Sequence, residues 1–354
     1  MSLSSSLSLE ADTLKTIDLE THFATPEWVE AMYVNRGYPR FADEPTTGKR
    51  RLYYSESTFE PHGDFILNRL LDLGEGRIQE MDRAGIDVAV VSLTAPGVDH
   101  FAPEVGTALA KRVNDRLAEA ISKYPTRLAG FAALAPKDPQ AAAAELERCV
   151  KELGFKGWKT HSNFGDSYID DKRYWPVLAK AEELGVPIYL HPAAPMIEEF
   201  RTYGLPLAGA AFGFGVETAL AMMRLVLSGV FDAFPRLKII LGHYGEGLPF
   251  LMQRIDHPFV RPHLKASDPE VVPPLQRVPS QYLRDNMLMT TSGNYLPAAF
   301  KCAREALGIE HIMLGTDYPY EEMGECLEFL GGLGLSEAEQ AQLYFRGAEQ
   351  LGMV

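Results

Sequence analysis

From Leu14 onward the chain alternates, eight times over, a short apolar run with a longer segment whose apolar residues are spaced three and four apart. Short strands separated by amphipathic helices make a parallel sheet with crossover connections, and eight such units close a (β/α)8 barrel. The candidate strands are Leu14–Glu20, Asp87–Leu93, Arg127–Leu134, Phe155–Thr160, Val186–Leu190, Leu237–Leu241, Asn286–Thr291 and Ile312–Thr316. Helical spacing covers Asp64–Ala84, Leu109–Lys123, Gln140–Leu153, Arg173–Leu184, Val216–Val230, Leu248–Asp256, Pro297–Leu307 and Gly324–Leu333. Gly85, Gly154 and Gly185 each precede a strand, where a left-handed glycine ends a helix. A last helix is expected over Ser336–Leu351, opened by a capping box of Ser336 and Glu339.

The expectation is therefore an α/β fold, a distorted TIM barrel in one domain over residues 14–354, behind a disordered leader at 1–13. Glu30–Gly63 breaks the rhythm: it is rich in Tyr, Pro, Gly and Arg and shows no period. An insertion after a barrel strand falls at the catalytic face, where it can shape a pocket or a subunit contact, or be a plain surface loop.

Composition narrows the partner. The chain carries 48 acidic and 34 basic residues, a formal charge of −14, which argues against a nucleic-acid or anionic-membrane surface and leaves a small molecule. Cys149, Cys302 and Cys326 form no C-x-x-C pair, so neither a zinc knuckle nor a disulfide framework is suggested, and the odd count suits a reducing cytoplasm. Met1–Glu10 lacks the basic start of a signal peptide. Leu207–Val230 is apolar, but Glu217 and Arg224 interrupt it, which favours a buried helix over a membrane span.

The strand ends gather chemistry. Glu20 and His22 are two apart on the first strand and share a face. Together they could chelate a divalent cation or form an ordinary ion pair. His161, His191, His243 and Asp317 stand at the ends of later strands, so six potential ligands occupy one rim, the face where barrels place catalytic groups. Each has a plainer reading: His191 as a core histidine, Asp317 as the cap of the next helix. His243 sits in Gly242-His243-Tyr244-Gly245-Glu246-Gly247, where the glycines let backbone approach a ligand and Glu246 can reach back.

Glu20-Thr21-His22-Phe23, Leu190-His191-Pro192, Leu241-Gly242-His243 with Gly245-Glu246-Gly247-Leu248-Pro249, and Gly315-Thr316-Asp317-Tyr318-Pro319 resemble the amidohydrolase superfamily. The closer resemblance is to its metal-dependent decarboxylase branch, which includes γ-resorcylate, 2,3-dihydroxybenzoate, 5-carboxyvanillate and aminocarboxymuconate semialdehyde decarboxylases. It runs over nearly the whole chain from Leu14. The resemblance implies Glu20, His22, His191 and Asp317 as ligands of one divalent ion, Mn²⁺ or Zn²⁺, with no organic cofactor. It implies Asp317, His243 and Glu246 as the catalytic group, and Arg254, His161, Phe23, Phe214 and His62 as residues about the substrate. A homodimer or homotetramer is the implied assembly.

Two positions depart from the branch. Strand four ends Lys159-Thr160-His161-Ser162-Asn163, leaving open whether His161 or Asn163 faces the metal. His62 stands where the carboxyvanillate enzymes place a neighbouring subunit's arginine. The implied activity is non-oxidative decarboxylation of an ortho-hydroxylated aromatic acid, with the ipso carbon protonated before CO₂ leaves. The rival is metal-assisted hydrolysis of a lactone or amide, which would want a histidine at Glu20 and a bridging lysine, for which Lys159 is the candidate. A catalytically inactive barrel serving as a binding subunit is the third reading.

Overall fold

The computed structural model describes residues 15–264 and 273–354; the expected leader at 1–13 lies outside them. Eleven strands run in chain order: β1 Ile17–Phe23, β2 Arg40–Asp43, β3 Arg50–Tyr53, β4 Phe59–Pro61, β5 Val88–Leu93, β6 Leu128–Gly130, β7 Trp158–His161, β8 Ile188–His191, β9 Ile239–Leu241, β10 Met287–Thr290 and β11 Ile312–Met313. β1, β5 and β6 pair in parallel, as do β7 through β11 in sequence order. Those eight are the strands expected from the alternation.

Backbone hydrogen bonds complete the ring at both seams. Ala132 N donates to Gly157 O and Lys159 N to Ala132 O, joining β6 to β7. Leu19 N donates to Leu314 O, Asp317 N to Glu20 O and His22 N to Tyr318 O, joining β1 to the end of β11. The distortion is that these seams are irregular and the β1–β5 ladder shifts register, while the other barrel ladders are regular.

Inside the ring, Ile17, Leu19, Val88, Val90, Phe131, Tyr189, Ile240 and Met313 pack with Ala348 and Met353 from the C-terminal segment, which closes the floor. Alternate strand residues, among them Ala89, Val91, Leu190 and Leu241, face the helices. β1 departs from simple alternation. Its register against β5 shifts between Asp18 and Thr21, a bulge that lets Ile17 and Leu19 fill the barrel floor while Glu20 and His22 also point inward above them. The expected strand Leu14–Glu20 is seen as Ile17–Phe23, with Leu14 outside the described residues.

Three other expectations change. Asp64–Ala84 is two helices, Asp64–Leu71 and Glu75–Ala84, because Asp72 turns back to accept from Gly74 N at 2.8 Å. Ser336–Leu351 begins with the expected capping box but passes through a π turn at Gln342–Arg346, where Leu343 O accepts from Leu314 N. The aperiodic insertion forms a three-stranded antiparallel sheet, β2-β3-β4, whose strands of three or four residues are too short to show a period. Helix Pro279–Asn286 was not anticipated. Leu205–Leu227 has the length and apolarity to cross a membrane, yet it divides at Gly209 and packs Ala221, Met222, Leu225 and Val226 into the core.

Candidate metal and catalytic centre

Four side chains converge above the barrel floor. One ligand atom from each of Glu20, His22, His191 and Asp317 lies within 4.8 Å of all the others. His22 and Asp317 are joined Nε2 to Oδ1 at 2.8 Å, and the His22 and His191 ring centroids are 4.8 Å apart. Asp317 takes this place with φ of 66°, left-handed for a non-glycine residue, held by its own N–H on Glu20 O. Asp18 braces the same seam by accepting from the N–H groups of Glu20 and Thr316, each at 3.0 Å.

The donor set fits a divalent cation. Burial holds the His22 and His191 imidazoles well below their ordinary value, so both are neutral near pH 7. His191 Nδ1 donates to Pro192 O at 3.0 Å, leaving Nε2 as the free ligand nitrogen. Ser92 Oγ, 3.3 Å from His22 Nδ1, steadies the other ring. Thr290 Oγ1 donates to Glu20 Oε2 at 2.7 Å, while buried Glu20 Oε1 has no hydrogen-bond partner. An unpartnered buried carboxylate oxygen beside two neutral imidazoles and a second carboxylate is what a cation would complete.

His243 and Glu246 form the adjacent pair, Nδ1 to Oε1 at 2.7 Å. Every residue from His243 to Gly247 has positive φ, so the chain turns left-handed in order to set this pair. Each non-glycine residue in that region costs about 1–2 kcal/mol. Burial alone would lower the His243 pKa, but the charge and hydrogen bond of Glu246, with Glu20 and Asp317 nearby, raise it to about 10. His243 is therefore an imidazolium at neutral pH. Burial pushes the Asp317 carboxyl up to about 6, against the pull of His243 and Lys159.

Behind His191 lies a buried relay. The His161 ring is 5.7 Å from the His191 ring, with Nδ1 on the Asp99 carboxylate and Nε2 3.2 Å from Lys159 Nζ. Gly97 passes so close that an added Cβ would lie 2.5 Å from His161 Cε1. Asn163 instead turns to Ala194 O and Glu217, so of the two it is His161 that lies beside the ligand group. Lys159 Nζ donates to Leu93 O at 2.6 Å.

The cluster opens into a cavity of about 690 Å³ whose lining includes His191, His243, Glu246, Asp317, Phe212, Phe214 and Tyr320. Three residues expected about the substrate are elsewhere. Phe23 is buried in the core between strand and helices, because the bulge leaves Glu20 and His22 inward and turns Thr21 and Phe23 outward. Arg254 is exposed beside His257 on helix Leu248–Ile255, about 200° around the helix from the buried Met252. His62 is buried under the insertion sheet, its ring 4.9 Å from that of Phe41. Tyr54, Glu60, Tyr320 and Glu321 line the cavity and were not singled out. Glu60 and Tyr54 carried no signal, since they belong to an aperiodic segment; Tyr320 and Glu321 follow Asp317 closely and were within reach.

The amidohydrolase family profile matches residues 17–351. γ-Resorcylate decarboxylase of Polaromonas sp. (strain JS666 / ATCC BAA-500) is 40% identical over 83% of this chain and 92% of its own. The crystal structure of 5-carboxyvanillate decarboxylase from Sphingomonas paucimobilis superposes with a TM-score of 0.85 at 36% identity, covering 96% of this chain and 99% of that one. Dihydroxybenzoic acid decarboxylase from Polaromonas sp. JS666, solved with manganese and 2-nitroresorcinol, gives a TM-score of 0.80 at 36% identity over 95% and 96% of the two chains. This chain belongs to the amidohydrolase family. Within the family it is a carbon–carbon lyase, a decarboxylase.

Proposed function

We propose that this enzyme decarboxylates an aromatic acid bearing a hydroxyl ortho to its carboxylate, without an oxidant or an organic cofactor. The observation that carries the reading is the Glu20, His22, His191 and Asp317 cluster, with the His243–Glu246 pair beside it, on a cavity walled by Phe212, Phe214 and Tyr320. Bound there, one Mn²⁺ or Zn²⁺ ion would supply the Lewis-acid charge that orients the carboxylate and neighbouring phenolate. Manganese in the dihydroxybenzoic acid decarboxylase supports Mn²⁺ as the first choice.

The proton comes first. Direct loss of CO₂ would leave an aryl carbanion, so the ipso carbon is protonated while the ring electrons are supplied by the ortho oxygen. Asp317 is the proton carrier, lining the cavity together with His243 and Glu246. His243, charged through Glu246, holds positive charge beside Asp317 and the substrate carboxylate, and Asp317 recovers its proton from solvent. Rearomatisation then expels CO₂, and the phenol leaves with the carbon-bound proton. His161, tied to Asp99 and Lys159, keeps the His191 side of the site rigid.

The hydrolase alternative is less well supported, because Glu20 stands where it would want a histidine and Lys159 Nζ is engaged by Leu93 O and His161. The test is incubation of the Mn²⁺-loaded protein with 2-hydroxybenzoate and its dihydroxy analogues. CO₂ release without consumption of O₂ or nicotinamide is expected; activity confined to lactones or amides overturns the assignment.

A further inference from the structure

The insertion contributes an acidic wall to the cavity. Glu60 and Tyr54, from β4 and the loop after β3, line it together with Glu246, Asp317 and Glu321. None of the described residues lining it is an arginine or lysine. Glu60 is set by its surroundings. His62, two positions on and buried, has Nδ1 3.9 Å from Glu60 Oε1, and neither ring nitrogen has a hydrogen-bond partner. Tyr320, whose hydroxyl is 2.6 Å from Thr94 Oγ1, packs its ring 5.9 Å from the His22 ring and is under the charge of both Glu60 and Asp317. The Tyr54 ring meets Phe214 edge to face at 5.9 Å, so aromatic walls flank the carboxylate.

A flat ring whose departing carboxylate and ortho oxygen face the ligand cluster presents its remaining edge to this wall. A hydroxyl there donates to Glu60, whereas a second carboxylate meets like charge: among the described lining residues there is no lysine or arginine to pair with it, and the charged His243 is engaged by Glu246. We propose that Glu60, backed by His62, accepts a hydrogen bond from a second ring hydroxyl, so that the enzyme selects dihydroxylated aromatic monocarboxylates and rejects aromatic dicarboxylates. The inference rests on the decarboxylase reading above and adds the chemistry of the substrate's far edge. His62 is a positioning residue in this arrangement, acting through the carboxylate.

The experiment measures kcat/KM of the Mn²⁺-loaded enzyme on 2-hydroxybenzoate, on its 2,3-, 2,4-, 2,5- and 2,6-dihydroxy analogues and on 4-hydroxyisophthalate, then repeats the series with Glu60→Gln and Glu60→Ala, whose folding is followed by circular dichroism. At least one dihydroxybenzoate should exceed 2-hydroxybenzoate by roughly tenfold or more, and the dicarboxylate should fall below the best substrate by roughly a hundredfold. The hydroxyl preference should shrink to within about threefold in Glu60→Ala, and the dicarboxylate should gain in Glu60→Gln, which keeps an acceptor but removes the charge. Equal turnover of the dicarboxylate and the best dihydroxybenzoate by the wild type, or a preference unchanged in both variants, overturns the inference while the decarboxylase reading stands. CO₂ release from none of these acids overturns both.

Discussion

His22 Nε2 lies 2.8 Å from Asp317 Oδ1, although the two residues stand 295 positions apart in the chain. They meet because β1 and the end of β11 close the barrel, with Asp317 N on Glu20 O and His22 N on Tyr318 O. Three of the four residues that would hold the metal, Glu20, His22 and Asp317, are thus also at the last seam of the ring. Removing either carboxylate or imidazole should empty the site without opening the barrel, because the seam itself is made by backbone groups. His191→Ala and Asp317→Ala should retain less than about a tenth of the wild-type manganese by elemental analysis while keeping the wild-type circular dichroism spectrum. Full occupancy in both variants would mean that the cluster is not the metal site.

Thr290 tests the support behind the ligands. Its hydroxyl donates to Glu20 Oε2 and lies 3.0 Å from Tyr189 OH, so it fixes the orientation of a ligand without being one. Thr290→Val preserves the shape and removes the donor. Manganese affinity, read by titration with a competing chelator, should weaken by about 10–100-fold. An unchanged affinity would show that Glu20 needs no such brace.

The His243–Glu246 pair predicts a pH dependence of stability in the metal-free protein. The folded pKa of His243 is about 10, above its ordinary 6.5, so the folded chain keeps a proton that the unfolded chain releases as pH rises between those values. The stabilisation is complete below the lower value and is lost as pH rises through the upper one. Chelator-treated protein should melt at progressively lower temperature across that window, and Glu246→Gln, which removes the raising charge, should flatten the decline. Parallel curves for the two proteins would contradict the pairing.

Arg77 links the packing to the site. It is fully buried, and its guanidinium donates to Asp72 O at 2.8 Å, to His22 O at 2.6 Å and to Arg69 O at 3.3 Å. Arg77→Met keeps much of the volume but leaves these carbonyls without their donor, which should cost about 3 kcal/mol of unfolding free energy. Urea denaturation measures it; a loss below about 1 kcal/mol would show that water or neighbouring groups replace the guanidinium.

Much of this molecule is written locally. The alternation of apolar runs and helical spacing specifies eight barrel strands because each must bury one face against helices, and His22, His191 and Asp317 can be picked out because they end or follow such runs. The amidohydrolase membership is likewise legible in those strand-end motifs. Phe214 lies on the cavity wall.

What the chain alone could not convey depends on contacts between distant elements. The bulge in β1 puts Ile17, Leu19, Glu20 and His22 on the inner side together, and it exists because the strand must meet β5 and the end of β11 at once. It also sends Phe23 into the outer core. Arg254 and His62 sit where helix phase and the insertion sheet leave them, one exposed and one buried, and neither is set by the residue's own chemistry. Glu60 reaches the cavity through an insertion whose strands are too short to show a period. The sequence by itself determined the barrel and most of its rim, because periodicity and strand-end chemistry are local. Only the tertiary structure decided which rim residues face one another and what lines the opposite wall, because those follow from how the ring closes.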